Sequence, residues 1–200
     1  ERRSWPVAYA PSGTRSPAAP CRAFPKRPRP RPGNMPPLTL PCLALVTDRT
    51  LCPVADLPER VARAVAGEQA NLALAVAQGE GPIAAPGVLL SGGEVTVTLK
   101  GKGRGGPNAE YLLALAEALD GAAGIHALAC DTDGIDGSED NAGAVIGPET
   151  LARARGLGLD AVKYLADNDA YSYFEALGDL VVSGPTLTNV NDFRAILLSP

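Results

Sequence analysis

Apolar and polar residues alternate just before a glycine-rich stretch in the middle of the chain. Val95, Val97 and Leu99 are separated by threonines, and a period of two is typical of a strand with one covered face. Behind Pro107 the apolar residues instead recur at helical spacing, and proline is favoured at the first position of a helix. The pattern therefore predicts a strand, a loop over residues 101–106 and a helix that begins at Pro107.

Further apolar runs predict a succession of strands and helices. Strands are expected over residues 40–47, 88–90, 125–130, 142–146, 180–182 and 193–198. Helices are expected over residues 57–66, 70–77, 148–155, 160–166 and 168–177. Strands that alternate with helices indicate an α/β fold. We expect residues 68–200 to form a three-layer α/β/α domain with a mostly parallel or mixed sheet, preceded by a βα segment over residues 35–67.

The first 34 residues differ from the rest of the chain in charge and in proline content. They hold eight Lys/Arg against one acid, a net charge of +7, whereas the whole chain carries −4. Their prolines recur without a periodic apolar pattern, and such a segment cannot bury enough apolar surface to fold. We therefore expect a disordered, Pro/Arg-rich tail. Because the only methionine is Met35, translated sequence upstream of the true start is favoured over a basic arm for an acidic partner.

The composition limits the location and the partners of the chain. No apolar run reaches the ~20 residues that are needed to cross a bilayer. The four cysteines form no CxxC pair and there is one histidine, which argues against a zinc site. Scattered cysteines without a secretion signal favour a reducing, cytoplasmic location, and we expect neither a membrane nor a nucleic acid as partner. His126 and Cys130 lie in an apolar run and are interpreted as structural.

The loop over residues 101–106 combines flexible backbone with positive charge. Its glycines are Gly101, Gly103, Gly105 and Gly106, and its cations are Lys102 and Arg104. Glycines let backbone N–H groups turn towards a ligand, and the N-terminus of the following helix adds partial positive charge. The sequence therefore predicts an anion site at this loop.

The same loop matches the GxGxxG fingerprint of dinucleotide-binding proteins, which leaves an NAD-dependent reductase as an alternative. Two features weaken this interpretation. The loop carries two cations, and the acid that holds the ribose ~20 residues further on has no clear candidate besides Asp131.

Aspartates are dense directly after the strand predicted over residues 125–130. Three aspartates fall within six positions, spaced by glycines: Asp131, Asp133 and Asp136. Carboxylate oxygens are the ligands that hard divalent cations prefer. A turn capped by these aspartates is the simpler alternative. In open α/β sheets ligands collect at the carboxyl ends of strands, so we expect this loop to face the same cleft as the glycine loop. A third polar loop covers residues 183–192.

These three loops, in this order, resemble the C-terminal domain of the glycerate 2-kinase family, also known as hydroxypyruvate reductase or the MOFRL domain. The matching segments are LLSGGE at 89–94, GKGRGGPNAE at 101–110, DTDGIDG at 131–137, ND at 168–169 and SGPTLTNVND at 183–192. The resemblance covers about residues 68–200. It implies enzymes of two α/β domains that use ATP and Mg²⁺ to phosphorylate the 2-hydroxyl of D-glycerate in the cleft between the domains.

The resemblance also assigns roles to residues of this chain. The implied catalytic residues are Lys102, Arg104, Asp133 and Asp136. The implied metal ligands are Asp131, Asp133 and Asp192. The implied substrate- and nucleotide-binding residues are Ser91, Gly92, Gly93, Glu94, Gly101, Gly103, Gly105, Gly106, Asn108, Thr186, Thr188 and Asn189. The chain departs from many relatives at Pro107, where they carry arginine, and at Leu187, where they carry glycine.

The N-terminal domain that the resemblance implies has no counterpart in this chain. Residues 43–67 instead resemble the opening strand and helix of thiamine phosphate synthase, a (β/α)₈ barrel that one βα unit cannot close. We therefore expect little kinase activity from the chain alone and a separate N-terminal kinase domain as a partner. A non-catalytic fusion or truncated remnant stays open as an alternative.

Overall fold

The computed structural model describes residues 42–46 and 61–200. In this part of the chain six strands form one sheet in the order β1-β2-β6-β3-β4-β5. The strands are β1 (Cys42–Val46), β2 (Gly87–Gly92), β3 (Ile125–Asp131), β4 (Gly143–Ile146), β5 (Leu180–Val181) and β6 (Asp192–Leu198). The helices are α1 (Val61–Ala77), α2 (Pro107–Leu119), α3 (Thr150–Gly156), α4 (Ala161–Ala166) and α5 (Ala170–Leu177). The predicted α/β fold is thereby confirmed.

The sheet is mixed, and its topology brings three chain segments to one edge. β1 and β2 are parallel, whereas β6 lies antiparallel between β2 and β3. The carboxyl ends of β2 and β3 therefore lie beside the amino end of β6. Asp131 pairs with Asp192, and Gly92 pairs with Phe193. The strands themselves thus bring the turn at residues 91–94, the aspartate loop and the end of the third polar loop to the same end of the sheet.

Helix α2 lies at the centre of the core. It packs on α1, β3 and β4, and the shorter helices α3, α4 and α5 pack on α2 in turn. Tyr111, Leu112, Leu113 and Leu115 of this helix are completely buried. Each fully buried side chain of this size contributes about 1.5–3 kcal/mol to folding, so α2 is the element on which the sheet and the other helices depend.

The opposite face of the sheet stays partly open to solvent. Phe193, Leu197 and Val145 are about two-fifths exposed, and His126 also points to this side, as an exposed residue. This face of the sheet is therefore less covered than the face on which α2 packs.

Two predicted elements differ from the structure. Residues 95–100 form no strand, because β1 and β6 already occupy both edges of β2. Val95 is buried while Leu99 is 76% exposed. The break predicted between two helices near Gly67 is also wrong. Helix α1 is continuous across it, because the alanines of its buried face keep helical spacing on both sides of that glycine.

Several expectations lie outside the described residues. These are the disordered tail over residues 1–34, the start of the predicted helix at residues 57–60, and most of the segment that resembles thiamine phosphate synthase. The division into three regions stays a prediction. None of the described helices has the length and apolarity that a membrane span requires.

Candidate functional site

The first half of the glycine loop is fastened to the junction between α4 and α5. The backbone N–H groups of Lys100 and Gly101 donate to the Asn168 side-chain oxygen at 2.7 and 3.0 Å. Lys102 N–H donates to the Asp167 carboxylate at 3.0 Å, and Gly103 N–H donates to the carbonyl of the same residue at 2.9 Å. Arg104 N–H donates to the Asp169 carboxylate at 2.9 Å. Five consecutive amides are therefore satisfied within the protein.

The glycines of this loop are explained by close backbone contact rather than by a ligand. A Cβ on Gly101 would lie 2.0 Å from the carbonyl oxygen of Asp167, and one on Gly103 would lie 2.3 Å from the Asp169 side chain. A Cβ on Gly106 would lie 2.3 Å from the backbone of Asp136. The predicted cradle of backbone amides is consequently wrong for residues 100–104, since those amides bind the acidic 167–169 segment.

The second half of the glycine loop contacts the aspartate loop at the start of α2. The Asp136 carboxylate accepts from the N–H groups of Asn108 and Ala109 at 2.9 and 2.8 Å, and from the Asn108 side chain at 3.3 Å. Asp136 is completely buried. Burial raises its pKa to about 6, although the hydrogen bonds from Asn108 and Ala109 act in the opposite direction. Asp136 therefore caps the helix, and the N-terminal position expected for an external anion is filled by a carboxylate of the protein itself.

The two cations of the loop differ in their surroundings. The Arg104 guanidinium lies 4.4 Å from the centre of the Tyr171 ring and forms ion pairs with Glu139 at 3.4 Å and Glu175 at 3.0 Å. Lys102 is exposed, and its ammonium group has no ion-pair partner in the described part of the chain. Of the two predicted cations, Lys102 is consequently the one whose charge is available to a ligand.

The aspartate loop and the third polar loop are joined by hydrogen bonds. Asn189 donates to the Asp133 carboxylate at 3.1 Å, and Thr186 N–H donates to the Asp133 carbonyl at 2.9 Å. The Thr186 hydroxyl contacts the carbonyl oxygens of Thr132 and Thr188. Leu187 between them has a φ of +62° and is 97% exposed, so it occupies a conformation that glycine adopts without strain. The structure thus brings the predicted residues of these two loops together.

Asp131 and Asp133 form a half-exposed pair of carboxylates that suits a divalent cation in part. Each accepts one backbone N–H, and burial together with the negative charges of Asp133 and Asp192 raises the pKa of Asp131. Excess negative charge at a partly open edge favours a cation. No cluster of three or more potential ligands occurs within the described ranges. Magnesium is often held by one or two carboxylates plus substrate phosphates, and this donor pair fits that mode.

Asp192, the third predicted metal ligand, is engaged elsewhere. It is buried, and its carboxylate accepts from Val95 N–H at 2.9 Å, Asn108 Nδ2 at 2.7 Å and Arg194 Nη1 at 3.2 Å. Both oxygens are therefore occupied by donors of the protein. We correct the predicted role of Asp192 from metal ligand to the buried partner of Arg194.

Arg194 organises a polar network beneath the 91–94 turn. Its guanidinium is 1% exposed, donates to the Gly93 carbonyl at 2.7 Å and lies 3.4 Å from the Ser91 hydroxyl. Gln69 also donates to Ser91, at 3.0 Å, and the Tyr111 hydroxyl donates to Gln69. Burial raises the pKa of Tyr111, so the hydroxyl keeps its proton. Ser91 is thus a structural member of this network, while Gly92, Gly93 and Glu94 follow it at the sheet edge.

The sequence did not predict the roles of the residues that anchor the glycine loop and the 91–94 turn to the core, which are Asn168, Glu110 and Arg194. A hollow of about 190 Å³ lies between the glycine loop, the start of α2 and residues 97–99. Asn168 and Glu110 line it, and Arg63 pairs with Glu110 at 2.8 Å. Glu110 and Arg194 could have been predicted to be buried polar residues, since each is a charged residue on the apolar face of a predicted element. Asn168 belongs to the ND segment at 168–169 that carried the resemblance, but no role was assigned to it.

An α/β domain that brings a pair of carboxylates to the ends of its strands and carries an exposed lysine on a neighbouring glycine loop has the features of a domain for a small anionic ligand. The comparison with known families shows which protein family this domain belongs to. The chain belongs to the MOFRL family, whose model matches residues 87–192.

The curated relatives include proteins with two different names. A protein of Agrobacterium vitis named "Putative hydroxypyruvate reductase" is 53% identical over 159 residues, which cover 78% of this chain and 36% of the relative. The D-glycerate 2-kinase of Thermotoga maritima is 41% identical over 111 residues, which cover 56% of this chain and 27% of the relative. The chain thus spans about a third of the length of the relatives it matches.

Solved structures share this architecture. The crystal structure of glycerate kinase from Thermotoga maritima matches with a TM-score of 0.72 and 32% identity, over 80% of this chain and 36% of that one. Residues 68–200 make up only two thirds of the chain. The likeness therefore continues N-terminal of residue 68, into the region of α1 and β1.

Proposed function

We propose that this chain is the C-terminal part of a D-glycerate 2-kinase, which transfers the γ-phosphoryl group of ATP to the 2-hydroxyl of D-glycerate. The observation that carries the proposal is the exposed Lys102 ammonium, which lacks an ion-pair partner among the described residues and sits on the loop that contacts the aspartate loop. Identity to the Thermotoga maritima D-glycerate 2-kinase supports this reaction. Because the matched part covers only about a third of these relatives, we expect the chain alone to be nearly inactive, in a cytoplasmic setting.

The proposed chemistry needs positioned charges rather than a covalent intermediate. Lys102 would bind a phosphate or the glycerate carboxylate, and Asp131 and Asp133 are the residues that would hold Mg²⁺. The ion, when bound, neutralises charge on the phosphate oxygens. Thr186, Thr188, Asn189 and Glu94 line the remaining rim. In this proposal Asp136 and Arg104 contribute by fixing the loops, since their charges are already engaged.

A chimera tests the reaction on a complete protein. Residues 61–200 replace the matching part of the Agrobacterium vitis relative, and ATP-dependent formation of phosphoglycerate from D-glycerate is followed by mass spectrometry. We expect activity that Lys102→Ala lowers by about a hundredfold, the scale of one lost electrostatic contact in a closed site. Lys163→Ala, which removes another exposed lysine, one that is paired with Asp160 on α4, is the matched control. A folded chimera without kinase activity would contradict the proposal.

An NAD-dependent hydroxypyruvate reductase is the second candidate, favoured by the name of the relative at 53% identity. Two observations speak for the kinase instead. Dinucleotide sites of the GxGxxG type seat the pyrophosphate on the helix N-terminus, where this chain carries the Asp136 carboxylate. Residues 95–100, which lead directly into the loop, form no strand. The same chimera, assayed for NADH oxidation with hydroxypyruvate, discriminates the two: turnover with NADH and none with ATP favours the reductase.

A further inference from the structure

Asn168 occupies an unusual position between α4 and α5. It is 5% exposed and has a φ of +56°, in the left-handed region that asparagine tolerates better than most residues. Its side-chain oxygen accepts two hydrogen bonds, from Lys100 N–H and Gly101 N–H. Its amide nitrogen donates to the Thr98 carbonyl at 3.3 Å and to the Glu110 carboxylate at 2.7 Å. The hydrogen-bonding capacity of this carboxamide is therefore fully used.

Glu110 connects this carboxamide to the helical layer. One oxygen of Glu110 accepts from Asn168, and the other accepts from Arg63 Nε of α1 at 2.9 Å. Glu110 itself is 5% exposed. A fixed chain of contacts thus runs from α1 through α2 to the backbone that leads into the glycine loop.

We infer that Asn168 is a positioning residue for Lys102, an inference that rests on the proposed function. The carboxamide fixes the two residues that precede Lys102, while Asp167 fixes the Lys102 amide itself at 3.0 Å. The backbone from which the Lys102 side chain leaves is therefore held by Asn168 on its N-terminal side and by Asp167 at the lysine itself. Asn168 touches no substrate; it acts by holding the ammonium group where an anionic ligand meets it. Only asparagine combines the left-handed backbone, a double acceptor and a double donor at this length.

Two substitutions separate the side chain from the backbone conformation. Asn168→Gly keeps the left-handed backbone without strain and removes all four hydrogen bonds. Asn168→Asp keeps the acceptor for the loop amides but replaces the donors with a charge that faces Glu110. Asp120→Gly is the matched control, because it removes a side chain at another left-handed position, at the far end of α2.

The test is a double-mutant cycle on binding of inorganic tripolyphosphate to the chain, measured by calorimetry at low ionic strength. We expect Asn168→Gly to weaken binding by about fivefold or more, Asn168→Asp to weaken it less, and Asp120→Gly to leave it unchanged. In a Lys102→Ala background, Asn168→Gly should not weaken tripolyphosphate binding any further. A purely structural role of Asn168 would instead weaken binding in both backgrounds. If the Asn168→Gly variant does not fold, the same double-mutant cycle is measured with Asn168→Asp.

The outcomes distinguish this inference from the proposed function. If Lys102→Ala weakens tripolyphosphate binding but the Asn168 substitutions do not, the positioning role is wrong and the proposed anion site stands. Independent, additive effects of the two positions also overturn the positioning role. If Lys102→Ala leaves binding unchanged, the anion site fails and the positioning role fails with it.

Discussion

Ionisation of Asp136 is the feature of this fold most open to a quantitative test. The carboxyl group is completely buried and caps α2 by accepting from Asn108 and Ala109. Its pKa is about 6 in the folded chain against 3.8 in the unfolded chain, chiefly because burial disfavours the charge. Folding therefore favours the protonated acid, and stability falls as the pH rises through 6. The substitution Asp136→Asn removes this titration with little change of shape.

The size of the effect follows from the two pKa values. Each unit of difference corresponds to 1.36 kcal/mol, so full ionisation of Asp136 costs the folded state about 3 kcal/mol relative to the acid. Between about pH 4.5 and pH 7.5 the change is about 2 kcal/mol, because Asp136 is already partly ionised in the unfolded chain at the lower pH. The wild-type free energy of unfolding, relative to that of Asp136→Asn, should fall by this amount across the range.

The assay is urea unfolding followed by circular dichroism at several pH values for both proteins. Asp160→Asn is a control of opposite sign. Asp160 is an exposed cap of α4, and its pKa is lowered by hydrogen bonds from Lys163 and from backbone amides. Its stabilising contribution is present above the unfolded pKa and is lost as the pH falls. Parallel pH profiles for wild type and Asp136→Asn would refute the assignment of a raised pKa to this buried cap.

Three further substitutions test the packing of the loops. Arg194→Met should destabilise the chain by about 3–5 kcal/mol in urea unfolding, because it leaves Asp192 buried without its charged partner; Arg155→Met, at the exposed ion pair with Asp120, should cost less than about 1 kcal/mol, and equal costs would contradict this account. Gly103→Ala should lower the melting temperature, because its Cβ would overlap the backbone of Asp169, whereas Gly156→Ala, with open space around it, should not. Lys102→Ala should leave the melting temperature unchanged, and a loss of stability would mean that the lysine has a structural partner.

Much of the fold was within reach of the sequence. The strands that became β2, β3, β4 and β6 have compact apolar runs, and helix periodicity located α2 from its proline onward. The convergence of the three loops could be predicted because strand ends collect ligands in α/β sheets. The antiparallel insertion of β6 between β2 and β3 could not, since no local pattern records which strand pairs with which.

The wrong predictions for residues 95–100 and for the glycine loop have a common physical cause. The alternating segment at residues 95–100 has the composition of a strand, but both edges of the preceding strand β2 are already paired, and the segment is held instead by Asp192 and Asn168. The glycine loop has the composition of a phosphate cradle, but its amides are taken by residues more than sixty positions away. Local sequence indicates which hydrogen-bonding groups a segment offers, whereas tertiary contacts decide which residues or ligands bind them.

The amides of residues 100–104 bind the 167–169 segment, so that in this part of the glycine loop the anionic ligand meets the Lys102 side chain and no backbone amide. Amide hydrogen exchange measured residue by residue, with and without tripolyphosphate, tests it most directly. We predict slow exchange at Gly101 and Gly103 in the free chain and no further slowing when the anion is added. Fast exchange in the free chain that becomes slow only with the anion would contradict the account and restore a backbone cradle for phosphate.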